Sequence, residues 1–205
     1  MDWHPITGIA VGDVSGHGIS SALLMATVRA SLRQRASIPG SAAQVITDVN
    51  ALLAQDVEYS DDFIILFFLV IDTQRGALEW VRAGHDPAVR YNPITDSLDE
   101  LKGAGLALGV QAEWQYESHT LDDLAAGQII LLGTEGIWEA ENPKGQRIGK
   151  DPIYQVLREM AEYSAPEILK AVFDVLKKYV NGTRTDDDIT AVIVKVESIQ
   201  SIVTN

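Results

Sequence analysis

Cysteine is absent from this 205-residue sequence. Without it the chain can form no disulfide, no zinc–thiolate or iron–sulfur centre and no cysteine nucleophile. Basic residues are also scarce, because 16 Lys and Arg stand against 29 Asp and Glu, which gives a formal net charge of −13. Nucleic-acid binding needs clustered positive charge, so this balance argues against a nucleic-acid partner.

Long apolar segments are missing as well. The longest strongly apolar run is 63–71, about half of the ~20 residues that a membrane-spanning helix needs. The first Lys or Arg is Arg29, so the sequence shows no basic region of a secretory signal. These absences predict no membrane partner and a cytoplasmic location. The length and a hydrophobic content of 46% predict one globular domain over 1–205.

Helix-type and strand-type patterns occur in separate blocks of the chain. Helical spacing predicts four helices. Three lie over 19–36, 151–162 and 164–180, and another begins at a capping box formed by Ser41 and Gln44. Strand-type runs lie at 6–14, 63–71, 77–83, 88–91, 114–120, 128–132 and 189–196. Two blocks of helices around a block of hairpin strands favour an α+β sandwich over a βαβ repeat.

Acidic side chains stand at the ends of three predicted strands. Asp13 ends the first strand, Glu135 follows 128–132, and Asp187 directly precedes the last strand. Carboxylate and carbonyl oxygens suit hard cations such as Mg²⁺ and Mn²⁺, and strands of one sheet can bring their ends together. Two ions held ~3.5–4 Å apart by such groups hydrolyse phosphate esters. Acids at these places also simply stabilise or solvate turns, so a metal site and ordinary turns are two open alternatives.

A family resemblance follows from the motifs taken in order. The segment 11–26 resembles the signature of the sporulation-stage-II-E (SpoIIE)-like branch of the metal-dependent PPM protein phosphatases. Further segments that match the family pattern follow in the family's order at 67–68, 83–87, 105–109, 132–136 and 187–190. The resemblance covers nearly the whole chain, and the order and spacing of the motifs together make it specific.

The resemblance implies a fold and a reaction. The fold would be two stacked antiparallel sheets flanked by helices, an αββα sandwich. A metal-activated water would hydrolyse phosphoserine or phosphothreonine on a bacterial regulatory protein, a STAS-type anti-sigma-factor antagonist, without a covalent enzyme intermediate. Two Mn²⁺ or Mg²⁺ ions would be the cofactors.

The resemblance also implies the residues of the site. The metal ligands would be Asp13, the Val14 carbonyl, Glu135 and Asp187, with Asp13 and Asp187 as the catalytic pair. Gly136 and Asp188 would lie beside these ligands. His17 and His85 are interpreted as a turn-stabilising and a packed residue, and the resemblance gives neither a ligand role.

Two departures from the family pattern favour an alternative. Family members have a strand pair with a further carboxylate before Gly12, whereas only 1–11 precede it here, so we expect an N-terminally short domain with an exposed sheet edge. Glu135 stands in the place of an aspartate, and its carboxylate reaches ~1.5 Å further. Mg²⁺ tolerates such a displacement poorly. The alternative is a catalytically weak or inactive module of the same fold that binds a partner or forms a homodimer.

Overall fold

The computed structural model describes residues 6–182 and 188–198. These residues form two compact units, the first made of 6–87 and 102–123 and the second of 88–101, 124–182 and 188–198. The single domain over 1–205 stays a prediction. In the part of the chain that is described, no helix has the length and apolar character needed to cross a bilayer.

The described residues form eight strands and five helices. In chain order these are β1 (Ile6–Val14), α1 (Ile19–Ala36), α2 (Ala42–Asp56), β2 (Ile64–Asp72), β3 (Ala77–Ala83), β4 (Ala88–Asn92), β5 (Ser97–Leu101), β6 (His119–Leu121), β7 (Ile129–Gly133), α3 (Gly136–Glu139), α4 (Asp151–Glu159), α5 (Ala165–Val180) and β8 (Ala191–Lys195).

The first unit is built on an antiparallel sheet with the strand order β1-β2-β3-β6. The apolar stripe of α2, which includes Ile46 and Val49, packs with Leu66 and Phe68 of β2 in one buried cluster. The predicted capping box at Ser41 begins α2, since the Ser41 hydroxyl accepts a hydrogen bond from the Gln44 amide. One face of this sheet is therefore covered by helix.

The second unit has a sheet with the order β5-β4-β7-β8 and a core of its own. Ile168 and Val172 of α5 are fully buried with Val89 and Leu131 of the sheet. The predicted capping box at Ser164 begins α5, and the hydrogen bonds from its hydroxyl and amide hold the pKa of the Glu167 carboxyl below its usual value. The α+β class with two antiparallel sheets flanked by helices is thus confirmed.

The structure differs from the sequence prediction at three elements. The strand expected over 114–120 is reduced to β6, because the Tyr116 amide donates to the Thr47 hydroxyl and is not available to a strand neighbour. The strand β5 and the helix α3 were not predicted. β5 carries too many acids to show a strand pattern, and α3, with four residues, is too short to show a helical period.

Candidate metal centre

Asp13 lies next to the last residue of β1, the edge strand of the first sheet. It stands opposite Ile65 of β2. Gly12 allows the two strands to approach, since a Cβ there would lie 2.9 Å from Leu66 Cδ1 and 3.1 Å from the Ile65 carbonyl oxygen. Side chains alternate between the faces of a sheet. Because Leu66 belongs to the helix-covered core, Asp13 lies on the opposite face, and it is half-buried there.

Ser15 attaches the turn after Asp13 and Val14 to the start of β2. Its amide donates to the Phe63 carbonyl at 2.9 Å, and its hydroxyl oxygen accepts from the Phe63 amide at 2.9 Å. We call this Ser15–Phe63 pair the serine bridge. The Ser21 hydroxyl of α1 in turn donates to the Ser15 carbonyl at 3.1 Å. The backbone directly after the predicted ligands is therefore held by three hydrogen bonds.

The segment between the serine bridge and α1 is exposed. Gly16 and Gly18 have φ angles of +75° and +90°, a region that favours glycine. α1 begins without a side-chain cap, and only Ser21, Val28 and Leu32 of this helix are buried. His17 is exposed and makes no hydrogen bond within residues 6–182 and 188–198, so the turn-stabilising bond expected of it is not found.

Thr134 attaches the Glu135 turn in the second unit to the start of β8. Its amide donates to the Thr190 carbonyl at 3.0 Å, and its hydroxyl oxygen accepts from the Thr190 amide at 3.0 Å. We call this Thr134–Thr190 pair the threonine bridge. The Thr134 hydroxyl also donates to the Asp188 carbonyl at 3.2 Å. Gly136 allows this approach, because a Cβ there would lie 2.9 Å from the same Asp188 oxygen.

The structure thus brings Glu135, Gly136 and Asp188 together. The antiparallel pairing of Gly133 with Ala191 places the end of β7 beside the start of β8, and both acids are exposed there. Asp13 belongs to β1 of the first sheet, whereas Glu135 and Asp188 lie beside β7 and β8 of the second sheet. Asp187 lies outside the described residues, and its role stays a prediction.

The donor types of the described site residues suit a hard cation. Asp13 and Glu135 offer carboxylate oxygens and Val14 offers a carbonyl, which are the ligands that Mg²⁺ and Mn²⁺ prefer. Within residues 6–182 and 188–198, no group of three or more His, Asp or Glu side chains is arranged to hold a metal ion. That part of the chain lacks Asp187, so it contains only some of the ligands that the resemblance implies. The oxygen donors among the described site residues are thus of the type that binds Mg²⁺ or Mn²⁺.

Sequence reasoning missed Ser15 and Thr134, the two residues that position the acidic turns. Their signal is a hydroxyl residue within two positions of an acid at a strand end, in Asp13-Val14-Ser15 and in Thr134-Glu135. His85 has the packed role expected of it, since it is 1% exposed and its Nδ1 lies 2.9 Å from the Asp86 carbonyl oxygen.

The sequence pattern of the family described as stage II sporulation protein E (SpoIIE) matches residues 6–197. The phosphoserine phosphatase RsbU of Bacillus subtilis is 26% identical over 91% of this chain and 55% of its own length. The chain thus spans about half of that relative.

Two solved structures show the same fold. The SiaA-PP2C domain of Pseudomonas aeruginosa has a TM-score of 0.80 at 20% identity, over 94% of this chain and 81% of that one. The PP2C phosphatase domain of SpoIIE from Bacillus subtilis, solved with a fragment of its regulatory domain, has a TM-score of 0.78 at 18% identity, over 94% of this chain and 54% of that one.

Proposed function

Because this chain belongs to the stage II sporulation protein E (SpoIIE) family, we propose that it is a metal-dependent serine/threonine protein phosphatase. The observation that carries the proposal is the family match over 6–197, which includes the acidic turns at Asp13 and Glu135. RsbU, which is named a phosphoserine phosphatase, supports phosphoserine as the substrate group. The PP2C fold of the two solved structures agrees with this reaction class.

The proposed ligands of two Mn²⁺ or Mg²⁺ ions are Asp13, the Val14 carbonyl, Glu135 and Asp187, each assigned through its own motif. When bound, such ions lower the pKa of a coordinated water and polarise the phosphoryl oxygen. The chain itself contributes the position of the donors. The serine bridge fixes the backbone after Val14, and the threonine bridge fixes the backbone before Glu135. Donors held in this way lose little freedom when an ion binds.

The proposed substrate is a bacterial regulatory phosphoprotein of the STAS-type anti-sigma-factor-antagonist class. Hydrolysis would release inorganic phosphate and return the free serine or threonine hydroxyl, with no covalent enzyme intermediate. The homology to RsbU supports a protein substrate of this kind. The cytoplasm is the proposed location.

Phosphate release from a phosphoserine protein in the presence of Mn²⁺ tests the proposal. We expect Asp13→Asn to lower kcat/KM at least about 100-fold, because it removes a charged ligand from the metal. EDTA should abolish the activity of the unchanged chain, and added Mn²⁺ should restore it.

Asp122→Asn is the matched control for this experiment. Asp122 is an exposed acid directly after β6 that has no proposed role at the metal, and we expect its loss to leave kcat/KM unchanged. Activity that survives Asp13→Asn, or that survives EDTA, would show that the proposed site does not carry the reaction.

A second candidate function is a catalytically weak module of the same fold that binds a partner or a second copy of itself. Two observations favour it: the glutamate at Glu135 and the 64% exposed Leu23 on the mostly unburied helix α1. Calorimetry separates the two candidates. Tight binding of two Mn²⁺ per chain supports the enzyme, whereas weak binding together with a stable homodimer supports the module.

A further inference from the structure

An open depression of about 650 Å³ lies beside β3 and β6 in the first unit. Its walls are formed by Arg82, Pro87, Lys102, Gly103, Ala104 and His119. Three of these six residues are of the basic types and none is acidic, although acids outnumber Lys and Arg by 29 to 16 in the chain. The depression is therefore lined by side chains of the basic types in an acidic protein.

The Arg82 guanidinium is fixed in place by backbone carbonyls. Its Nε donates to the His85 carbonyl, and its Nη1 donates to the Gly103 carbonyl at 3.0 Å. Arginine has five N–H donors, and no residue within 6–182 and 188–198 accepts from Nη2. A fixed guanidinium with donors to spare is prepared for a phosphate or a carboxylate.

His119 lies against the same loop. Its ring is 5.7 Å from the Trp80 ring, centroid to centroid, and its Nε2 is buried without a hydrogen-bond partner in the described part of the chain. Gly103 makes room for this ring, because a Cβ there would lie 2.8 Å from His119 Nε2. Gly105 also has to be a glycine, since its Cβ would lie 1.9 Å from the Arg82 carbonyl oxygen. The loop thus packs closely against the His119 ring and against the backbone of Arg82.

The depression is separate from the acidic turn of Asp13. Arg82 stands opposite Phe67, which stands opposite Val11, so Arg82 and Asp13 lie on the same face of the sheet. Two strand spacings across and two residues along correspond to ~12 Å between their Cα atoms. A ligand in the depression would therefore bind without using Asp13.

We propose that this depression binds a small phosphate-bearing anion, held by Arg82, with His119 in the wall and Lys102 at the rim. The Arg82 guanidinium would donate two hydrogen bonds to phosphate oxygens, and the His119 ring would form part of the wall beside them. The volume lies within the range of small-molecule sites, ~300–1,000 Å³. The phosphate could come from free inorganic phosphate or from an organic phosphate monoester, and the two sources share this recognition.

The test is a titration of the whole, metal-free chain in EDTA with inorganic phosphate and, separately, with phenyl phosphate. Calorimetry gives the Kd, and the ring resonances of His119 in NMR, assigned with a His119→Gln variant, report the place of binding. We expect a Kd of about 1 mM and a shift of the His119 resonances. If both probes shift the His119 resonances, inorganic phosphate alone is enough for binding. If only phenyl phosphate shifts them, the ligand is an organic phosphate ester.

Two variants locate the site. Arg82→Gln should weaken binding at least about 10-fold, because it removes a charge-assisted pair of hydrogen bonds. This change also removes two bonds to carbonyls, so Lys102→Gln, at an exposed position, is the second variant and should weaken binding about 2- to 3-fold. Lys178→Gln makes the same charge change on exposed α5 and should leave the Kd unchanged.

The proposal is overturned if neither probe shifts the His119 resonances at about 10 mM. It is equally overturned if Lys102→Gln binds as the unchanged chain does, or if Lys178→Gln weakens binding as much as Lys102→Gln. Because the titration uses metal-free protein and measures no hydrolysis, its result is independent of the proposed phosphatase activity.

Discussion

The serine bridge and the threonine bridge have the same hydrogen-bond pattern, but they differ in how deeply they are buried. In each, a hydroxyl residue donates its amide to a carbonyl and accepts, on its side-chain oxygen, the amide of that same residue. Thr134 is 6% exposed and leads into α3, where Gly136, Ile137 and Trp138 are buried. Ser15 is half-buried, its partner Phe63 is 39% exposed, and it leads into the mostly exposed α1.

This difference separates two ways of holding an acidic turn. The Thr134 side chain that holds the Glu135 turn is buried, so its hydrogen bonds are better protected from water and more costly to lose. The Asp13 turn is held by the same bonds at a wet surface, where water can replace each of them. The threonine bridge is therefore the more buried of the two, and the serine bridge is the more open to water.

Of the two bridges, the threonine bridge should contribute more to stability, so Thr134→Val should have a larger effect than Ser15→Ala. It removes the hydroxyl from a buried position and breaks the bonds to Thr190 and Asp188 together. We expect the free energy of unfolding to fall by about 2 kcal/mol, measured by urea denaturation. Thr134→Ser, which keeps the hydroxyl, should recover much of the loss. Thr120→Val, at an exposed threonine of β6, is the control and should change stability by less than about 0.5 kcal/mol. A Thr134→Val loss no larger than the control would contradict the role given to the threonine bridge.

Ser15→Ala should have a smaller effect of the same kind. Since the Phe63 amide can turn to water, we expect a loss of about 1 kcal/mol in the same measurement. Ser118→Ala, at a half-buried serine, is the matched control and should be nearly neutral. If Ser15→Ala costs as much as Thr134→Val, burial is not what distinguishes the two turns.

Leu23→Gln in α1 should have the smallest effect. Leu23 is 64% exposed, so little apolar surface returns to water, and stability should change by less than about 0.5 kcal/mol. Val172→Ala in α5 is the contrasting variant, because Val172 is fully buried and its loss should cost about 2 kcal/mol. Thermal melting of both variants checks the difference, and a large loss for Leu23→Gln would show that α1 is packed more tightly than its exposure indicates.

The sequence predicted most of the fold because local physics determines those elements. Capping boxes at Ser41 and Ser164 mark the starts of α2 and α5, and continuous apolar residues identify β2. β6 and the segment before it are determined by contacts that are distant in sequence. Tyr116, for example, bonds to Thr47, 69 residues away. A periodicity argument cannot detect such a contact.

The candidate site divides in the same way. The acids at Asp13, Glu135 and Asp188 could be predicted from motifs, since a motif preserves residue type and spacing. The bridges through Ser15 and Thr134 could not, because their partners Phe63 and Thr190 lie 48 and 56 residues away. Which sheet each acidic strand end belongs to could not be predicted either, because strand order is a property of the tertiary fold.

The order of the chain through the two units has a consequence for biosynthesis. The hairpin β4–β5 belongs to the second unit, yet it is made before β6, which completes the first sheet. The first unit is therefore synthesised as two separate segments of the chain. Its sheet can be completed only after about residue 121, the end of β6, has emerged from the ribosome. The hairpin must then wait for β7, the strand with which β4 pairs, and β8 pairs with β7 last of all. The described residues of the first unit are therefore all available once residue 123 has emerged, before the second unit is complete, and no single cut of the chain releases both units whole.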